Sequence, residues 1–251
     1  MIRLKNEKQI NGIRVSCKLL SAMYKELVPL IKPGVATIEL DLWAQDWIKK
    51  AGGKPAFLGY GSPKNPFPAA LCISINEEVI HGIPSKRRIA EGDLVSIDSG
   101  INLDGYISDQ AFTVEVGKVS GEAHRLNTVT RECLYRGIEA AKAGNRILQI
   151  SRAIYGHARD SLYGVVHQFC GHGVGLELHE DPQVPNYAHG PNPRMTEGFV
   201  IAIEPMINLG TGDVEILDDE WTVVTADRKL SAHWEHTIAI FKDRTEILTE
   251  Y

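Results

Sequence analysis

Four carboxylates and one imidazole sit at positions where a polar group needs a partner. Asp98 closes the apolar run Leu94-Val95-Ser96-Ile97, and Asp109 follows Tyr106-Ile107-Ser108, with Asp104-Gly105 between the two runs. Asp-Gly between β-like runs predicts a hairpin. A two-residue turn at 104–105 pairs residues whose numbers total 209, and a four-residue loop at 102–105 pairs those totalling 207; Asp98 with Asp109 totals 207. The two aspartates are therefore directly opposite or diagonal, and in both cases share one face. An odd-length loop without a bulge would separate them. Glu204 ends the apolar run Phe199–Ile203 and precedes Pro205, while Glu235 lies in Ser231-Ala-His-Trp-Glu-His-Thr237. His172 lies between two glycines, Gly171 and Gly173, whose small size lets backbone and substrate approach closely. A second histidine, His179, follows in Leu178-His-Glu-Asp-Pro182.

Buried carboxylates held close together repel, and the cost is large unless a cation lies between them. The plain alternative for the pair is two solvated aspartates on an exposed sheet face. Taken together, Asp98, Asp109, His172, Glu204 and Glu235 form an oxygen-rich set with one nitrogen, which suits divalent Mn, Fe, Co or Zn. Four carboxylates exceed what one divalent ion needs. Two ions sharing bridging carboxylates fit the count, and such a pair makes a hydroxide nucleophile at neutral pH.

The elements that must position these residues are legible as patterns. Helical spacing runs over residues 6–30 through Ile10, Ile13, Val15, Leu19, Leu20, Met23 and Leu27, up to Pro33-Gly34. A second helix opens at Thr37 and stops at Gly52-Gly53; others are expected over 122–143, closed by Gly144, and from Ile147 to about Leu162. Strands are expected at 71–75, 94–99, 106–116, near 165–170, and at 199–204, 213–217, 222–225 and 232–241. Lys32-Pro-Gly-Val-Ala-Thr-Ile-Glu-Leu and Lys142-Ala-Gly-Asn-Arg-Ile-Leu-Gln-Ile match at an offset of 110 (142 minus 32), so long helix, Gly turn, helix, strands occurs twice. A divergent duplication explains this, although helix–Gly–helix is also a common arrangement. No Pro/Gly/Ser linker separates the halves, about 1–120 and 121–251, so a single domain over 1–251 is expected.

Composition narrows the function. The chain has 251 residues, 43% hydrophobic and 24% charged, with a net charge of −5, which excludes disorder and argues against a general nucleic-acid binder. Cys17, Cys72, Cys133 and Cys170 form no C-x-x-C, and free thiols suit a reducing cytosol. The charged start does not read as a signal peptide and no run approaches about 18 apolar residues, so a cytoplasmic protein without a membrane span is expected.

The motifs closely resemble the type I methionine aminopeptidases, of the pita-bread fold. The resemblance covers the whole chain. It rests on Cys72-Ile-Ser-Ile-Asn-Glu-Glu-Val-Ile-His81-Gly-Ile-Pro84, Gly92-Asp-Leu-Val-Ser-Ile-Asp98, Gly171-His172-Gly-Val-Gly175, Leu178-His-Glu-Asp-Pro182, Ala202-Ile-Glu-Pro-Met206 and Trp234-Glu-His-Thr237, in that order. It implies an α+β fold, a pseudo-twofold antiparallel sheet with two pairs of helices on its outer face. It implies two divalent ions (Co, Mn, Fe or Zn), with Asp98 a terminal ligand of the first, Asp109 and Glu235 bridging, and His172 and Glu204 on the second. Glu204 is then also a proton-transfer group, and His81 and His179 contact substrate and stabilise the tetrahedral intermediate. Phe57, Tyr60, Cys72, Leu178 and Trp221 occupy the positions of a methionine-sized pocket. The implied reaction removes N-terminal methionine from peptides and nascent chains with a small second residue, by a monomer.

This sequence departs from the family pattern in places. Ser108 stands where relatives usually have Gly, Ser99-Gly100 follows Asp98, Leu176 often corresponds to an Arg, and Gly61–Pro68 is proline-rich, which leaves open how an aromatic near Phe67 meets the pocket. None removes a ligand; they bear on substrate preference. The rivals are an aminopeptidase P or prolidase, which usually carries an added N-terminal domain; a type II enzyme, whose helical insertion finds no room in the gaps 172–204 and 204–235; and a non-catalytic pita-bread binding module. Lys86-Arg87-Arg88 could make a transient contact with ribosomal RNA, but reads more simply as a solvated loop.

Overall fold

The computed structural model describes residues 1–250. Asn6 and Gln9 exchange side-chain-to-backbone bonds of 2.9 Å each, so α1 (Glu7–Leu27) begins with a closed capping box. Its buried face is Ile10, Ile13, Cys17, Leu20, Tyr24 and Leu27; Val15, expected on that face, is 56% exposed. The α-helix ends earlier than the pattern suggests. Pro29 lacks an N–H and cannot continue the i→i−4 ladder, and residues 28–30 tighten into a 3-10 turn. α2 (Thr37–Lys50) stops where Gly52 takes a φ of 82°, a left-handed stop that glycine adopts without strain.

In the first half, β1 (Leu71–Ile75) pairs with β2 (Leu94–Leu103), and β2 with β3 (Tyr106–Glu115), all antiparallel. Asp104 and Gly105 both have positive φ, 53° and 86°, as a tight two-residue hairpin turn requires. Leu103 pairs with Tyr106, so the two-residue alternative is the observed one. Asp98 faces Ala111 and Asp109 faces Gly100, which makes the aspartates diagonal neighbours on one face. α1 is tied to the other face by Tyr24, whose hydroxyl donates to the Gln110 carbonyl (2.7 Å), and Ser16, whose hydroxyl donates to Ile101 (2.8 Å). Leu20, Leu27, Leu40, Ile48, Ile73 and Ile97 join the apolar cluster there.

The second half follows the same plan. α3 (Gly121–Ala140) is capped by Ser120, whose hydroxyl accepts from Ala123, and α4 (Ile147–Asp160) is 14 residues long, like α2. Here β4 (Gly171–Gly173) lies between β5 (Glu180–Val184) and β6 (Val200–Ile203), and β6 pairs with β9 (His236–Ile240). β7 (Met206–Asn208) pairs with β8 (Ser231–His233). The strand expected at 199–204 is observed as Val200–Ile203 and ends at Glu204-Pro205, while the one expected at 232–241 is interrupted at Trp234-Glu235. Pro205 cannot donate to a ladder, so the backbone leaves the sheet where the two glutamates sit. Leu126, Leu134, Ile150, Ile154, Ile201 and Ile238 belong to this half's cluster, and Trp234 packs against both clusters.

The wiring repeats in detail. Gly34 donates to Ile89 (2.7 Å) and Gly144 to Met195 (2.9 Å); Ala36 bridges Arg88 and Arg146 bridges Arg194. In the basic cluster, Arg87 pairs with Glu78 at 2.7 Å and Arg88 donates to the Gly34 carbonyl at 2.5 Å, so both guanidiniums are engaged within the fold. Among the described residues no helix is long and apolar enough to cross a membrane.

Candidate metal centre and pocket

A cavity of about 260 Å³ opens where the two halves meet. Asp98 and Asp109 reach it from the β2–β3 hairpin, His172 from β4, Glu204 from the end of β6, and Glu235 from the break before β9. Phe57, Tyr60, Cys72, His81, Leu178, His179 and Trp221 line the same cavity. All twelve residues singled out in the sequence therefore face one space. Phe67, Ile80, Gln168, Phe169 and Cys170 line it as well. Ile80 and Phe169-Cys170 adjoin motif residues in sequence, a signal that was available. Gln168 carries none.

The polar end of the cavity lacks positive charge. Oδ1 of Asp98, Oδ1 of Asp109 and Oε1 of Glu235 are buried without a hydrogen-bond partner. Nδ1 of His172 meets the Gly173 carbonyl at 3.0 Å. A carbonyl only accepts, so Nδ1 carries the proton and Nε2 presents a lone pair. That lone pair faces Glu204 Oε1 at 3.4 Å and Asp109 Oδ2 at 3.7 Å. Acceptors thus face acceptors, which costs free energy until a cation enters. The ligand atoms of Asp109, His172 and Glu235 all lie within 4.8 Å of one another and could hold a metal ion. Asp98 and Glu204 stand on the same wall, outside that trio.

Burial pushes the carboxyls up. Asp98 rises to about 7 through burial, with nearby Glu204 adding to the rise against His233 and the Ser99 amide. Glu204 rises to about 8 through burial. Asp109 and Glu235 are held well above the carboxylate range, first by burial and then by neighbouring carboxylates. Burial likewise lowers His172 to about 3, so this ring is neutral at physiological pH.

The other end is apolar and aromatic. Phe67 meets Trp221 edge-on, with centroids 5.2 Å apart, and Gly61 leaves no room for a side chain because an added Cβ would lie 2.7 Å from the Trp221 ring. The proline-rich segment therefore forms a lip of the pocket and puts Phe67 into it. His81 is wedged between Phe169 and Trp221, at 5.7 and 6.1 Å, with a φ of 58°. A histidine held in left-handed backbone stores strain, a common feature of functional positions. Tyr60 Oη lies 2.6 Å from His179 Nδ1 and fixes that ring.

Two departures from the family pattern, Ser108 and Ser99, find structural reasons. The Ser108 hydroxyl accepts from the Ile101 amide (3.2 Å) and donates to Ser16 Oγ (3.1 Å), whose own proton goes to the Ile101 carbonyl, pinning α1 to the hairpin on the side away from Asp109. Ser99 Oγ donates to the Ala70 carbonyl (3.1 Å). The glycines flanking His172 serve strand packing: a Cβ on Gly173 would lie 2.3 Å from the Asp181 carbonyl oxygen, and one on Gly171 2.4 Å from that of Ala202. The expected close approach is thus to neighbouring backbone.

The loop carrying Leu178 and His179 is held from beneath. Lys5 Nζ lies 2.8 Å from Glu180 Oε2, with side chains 1% and 3% exposed, and Glu180 also accepts from the Leu176 and Glu177 amides. Burial lowers Lys5. Burial alone would raise Glu180, but its bonds to Lys5 and the two amides bring it below its ordinary value. Lys5→Met leaves a buried carboxylate unpaired and is expected to cost about 3–5 kcal/mol in urea unfolding. A loss below about 1 kcal/mol would reduce the pair to the worth of a surface contact.

Comparisons with known proteins identify the family. Metallopeptidase family M24 matches residues 11–242. A methionine aminopeptidase of Treponema pallidum (strain Nichols) is 55% identical, covering 100% of this chain and 97% of its own. The crystal structure of methionine aminopeptidase from Rickettsia prowazekii superposes with a TM-score of 0.96 at 36% identity, covering 100% of both chains. Prolidase from Pyrococcus furiosus superposes at 0.81 and 25% identity, and there the match covers 99% of this chain but 65% of the prolidase. The fold is that of these proteins, the pita-bread fold, and the chain belongs to metallopeptidase family M24, on its methionine aminopeptidase branch.

Proposed function

We propose that the chain hydrolyses the amide bond after an N-terminal methionine, in peptides and nascent chains whose second residue is small. One observation carries this reading: the acceptor-rich cluster and the apolar aromatic pocket share a single cavity. Asp98, Asp109, His172, Glu204 and Glu235 would hold two divalent ions, since four carboxylates balance two such charges; Mn, Fe, Co and Zn all suit the donor set. A bound divalent ion acidifies water and polarises a carbonyl. The chain's own groups do the rest. Phe57, Tyr60, Phe67, Cys72, Leu178 and Trp221 bury the methionine side chain and exclude water from it. Glu204 takes up and returns the proton at its carboxylate. His179, held through Nδ1 by Tyr60, presents Nε2 to the carbonyl oxygen as negative charge develops, and His81 orients the scissile amide. The reading places the protein in the cytoplasm, working as a monomer, with ribosome contact at most transient.

Met release from Met-Ala-Ser, with none of Leu from Leu-Ala-Ser, is the expected result; equal release from both would break the pocket assignment. His81→Ala is expected to lower kcat by about 10²-fold, the scale of a lost transition-state contact, with metal content unchanged. A variant that instead loses its metal would make His81 a ligand.

A further inference from the structure

The two halves can be aligned residue by residue at the site. In the first half, Asp98 faces Ala111 and Asp109 faces Gly100. In the second half, Ile203 pairs with His236 and Met206 with His233, so one register runs across the Pro205 gap and sets Glu204 opposite Glu235. Matching glycine bonds fix the alignment: Gly92 donates to Val116 (2.8 Å) and Gly198 to Ile240 (3.0 Å). Laid over one another, Glu204 takes the place of Asp98, and His233 that of Asp109. Crossed contacts obey the same relation. The His233 amide donates to Thr113 Oγ1 (3.0 Å), and Thr237 Oγ1 donates to the Asp109 carbonyl (2.7 Å).

His233 is 1% exposed and its Nε2 has no hydrogen-bond partner. That atom faces Glu204 Oε2 at 3.5 Å, while the other oxygen, Oε1, lies on the His172 side. The ring stands behind Glu204 and does not line the cavity. A shift of about 0.5 Å brings Nε2 and Oε2 to ordinary hydrogen-bond length. Groups that hold a metal are themselves oriented by a further hydrogen bond, and loss of that bond loosens them.

We propose that His233 is a positioning residue whose Nε2–H donates to Glu204 Oε2 and turns Oε1 toward the metal. This rests on the reading of Glu204 as a metal-holding carboxylate. The test compares full-length wild type with His233→Leu, His233→Asn and His233→Gln, each stripped by chelation and titrated with Co²⁺ in a calorimeter. Leu removes the donor, Asn keeps polarity but is too short, and Gln returns an N–H at similar reach. Leu and Asn are expected to weaken Co²⁺ binding by about 10–100-fold. They should also change the visible spectrum of the Co²⁺ form and lower kcat on Met-Ala-Ser without changing KM, and Gln should restore all three. Folding is checked by circular dichroism; if Leu fails to fold, the Asn–Gln comparison decides. Folded Leu or Asn variants that bind Co²⁺ like wild type would overturn the proposal, as would a folded Gln variant that rescues nothing. Wild type that binds no Co²⁺ would instead overturn the metal reading beneath it.

Discussion

Glu235→Gln is expected to lower kcat/KM by about 10³-fold, because the group that sets up several kcal/mol of transition-state stabilisation loses one of its holders. The same substitution is expected to stabilise the metal-free chain at pH 8, by about 1–4 kcal/mol, because it removes a charge that burial and three neighbouring carboxylates disfavour. Glu235 is 2% exposed, and its Oε1 has no partner to lose. Opposite signs on activity and stability distinguish a carboxylate kept for function from one kept for the fold. Asp98→Ala and Glu204→Ala are expected to abolish activity in the same way. Urea unfolding of the chelated variant beside steady-state kinetics checks both signs. A variant that loses stability and activity together would place Glu235 in the fold and outside the chemistry.

Metal removal is expected to make stability fall as pH rises. Unfolded, these carboxyls titrate near 4; folded and metal-free, Asp98 titrates at about 7 and Glu204 at about 8. Between those limits the folded chain holds protons that the unfolded chain has released, so linkage makes each unit of rising pH cost up to about 1.4 kcal/mol per group. The protonated site is at its most stable below pH 4, and that advantage is lost by pH 8. Metal binding reverses the dependence, since the ion displaces those protons and binds more tightly as pH rises. At a metal concentration about 1,000 times its Kd the gain is about 4 kcal/mol. Unfolding midpoints with and without chelator from pH 5.5 to 8.5 should therefore diverge. Parallel curves would mean that the cluster holds no ion.

The parts of this site legible in sequence are those fixed by local geometry. Asp104-Gly105 sets the hairpin register, and the register sets Asp98 and Asp109 on one face; only the choice between opposite and diagonal needed the structure. His172, Glu204 and Glu235 come from segments far apart in the chain, and no spacing rule joins them; their shared need for a partner suggested one set, and the family resemblance assigned their roles. How Phe67 meets the pocket stayed open because its place depends on a short hairpin, Gly61–Ser62 with Asn65–Pro66, packed on Trp221. The close approach expected at Gly171 and Gly173 is met by backbone, and which backbone needed the structure, since it belongs to other segments of the chain. Nothing in the sequence singles out His233. Only the alignment of the two halves shows it at the counterpart of Asp109.

The central claim is that the buried carboxylate–histidine cluster holds the metal that drives removal of an N-terminal methionine. It is tested most directly by chelating the protein, assaying Met release from Met-Ala-Ser, and titrating divalent metal back. The account predicts no release from the chelated chain and recovery with added Mn²⁺ or Co²⁺. Release that persists undiminished after the metal is gone, or that no divalent metal restores, would contradict it.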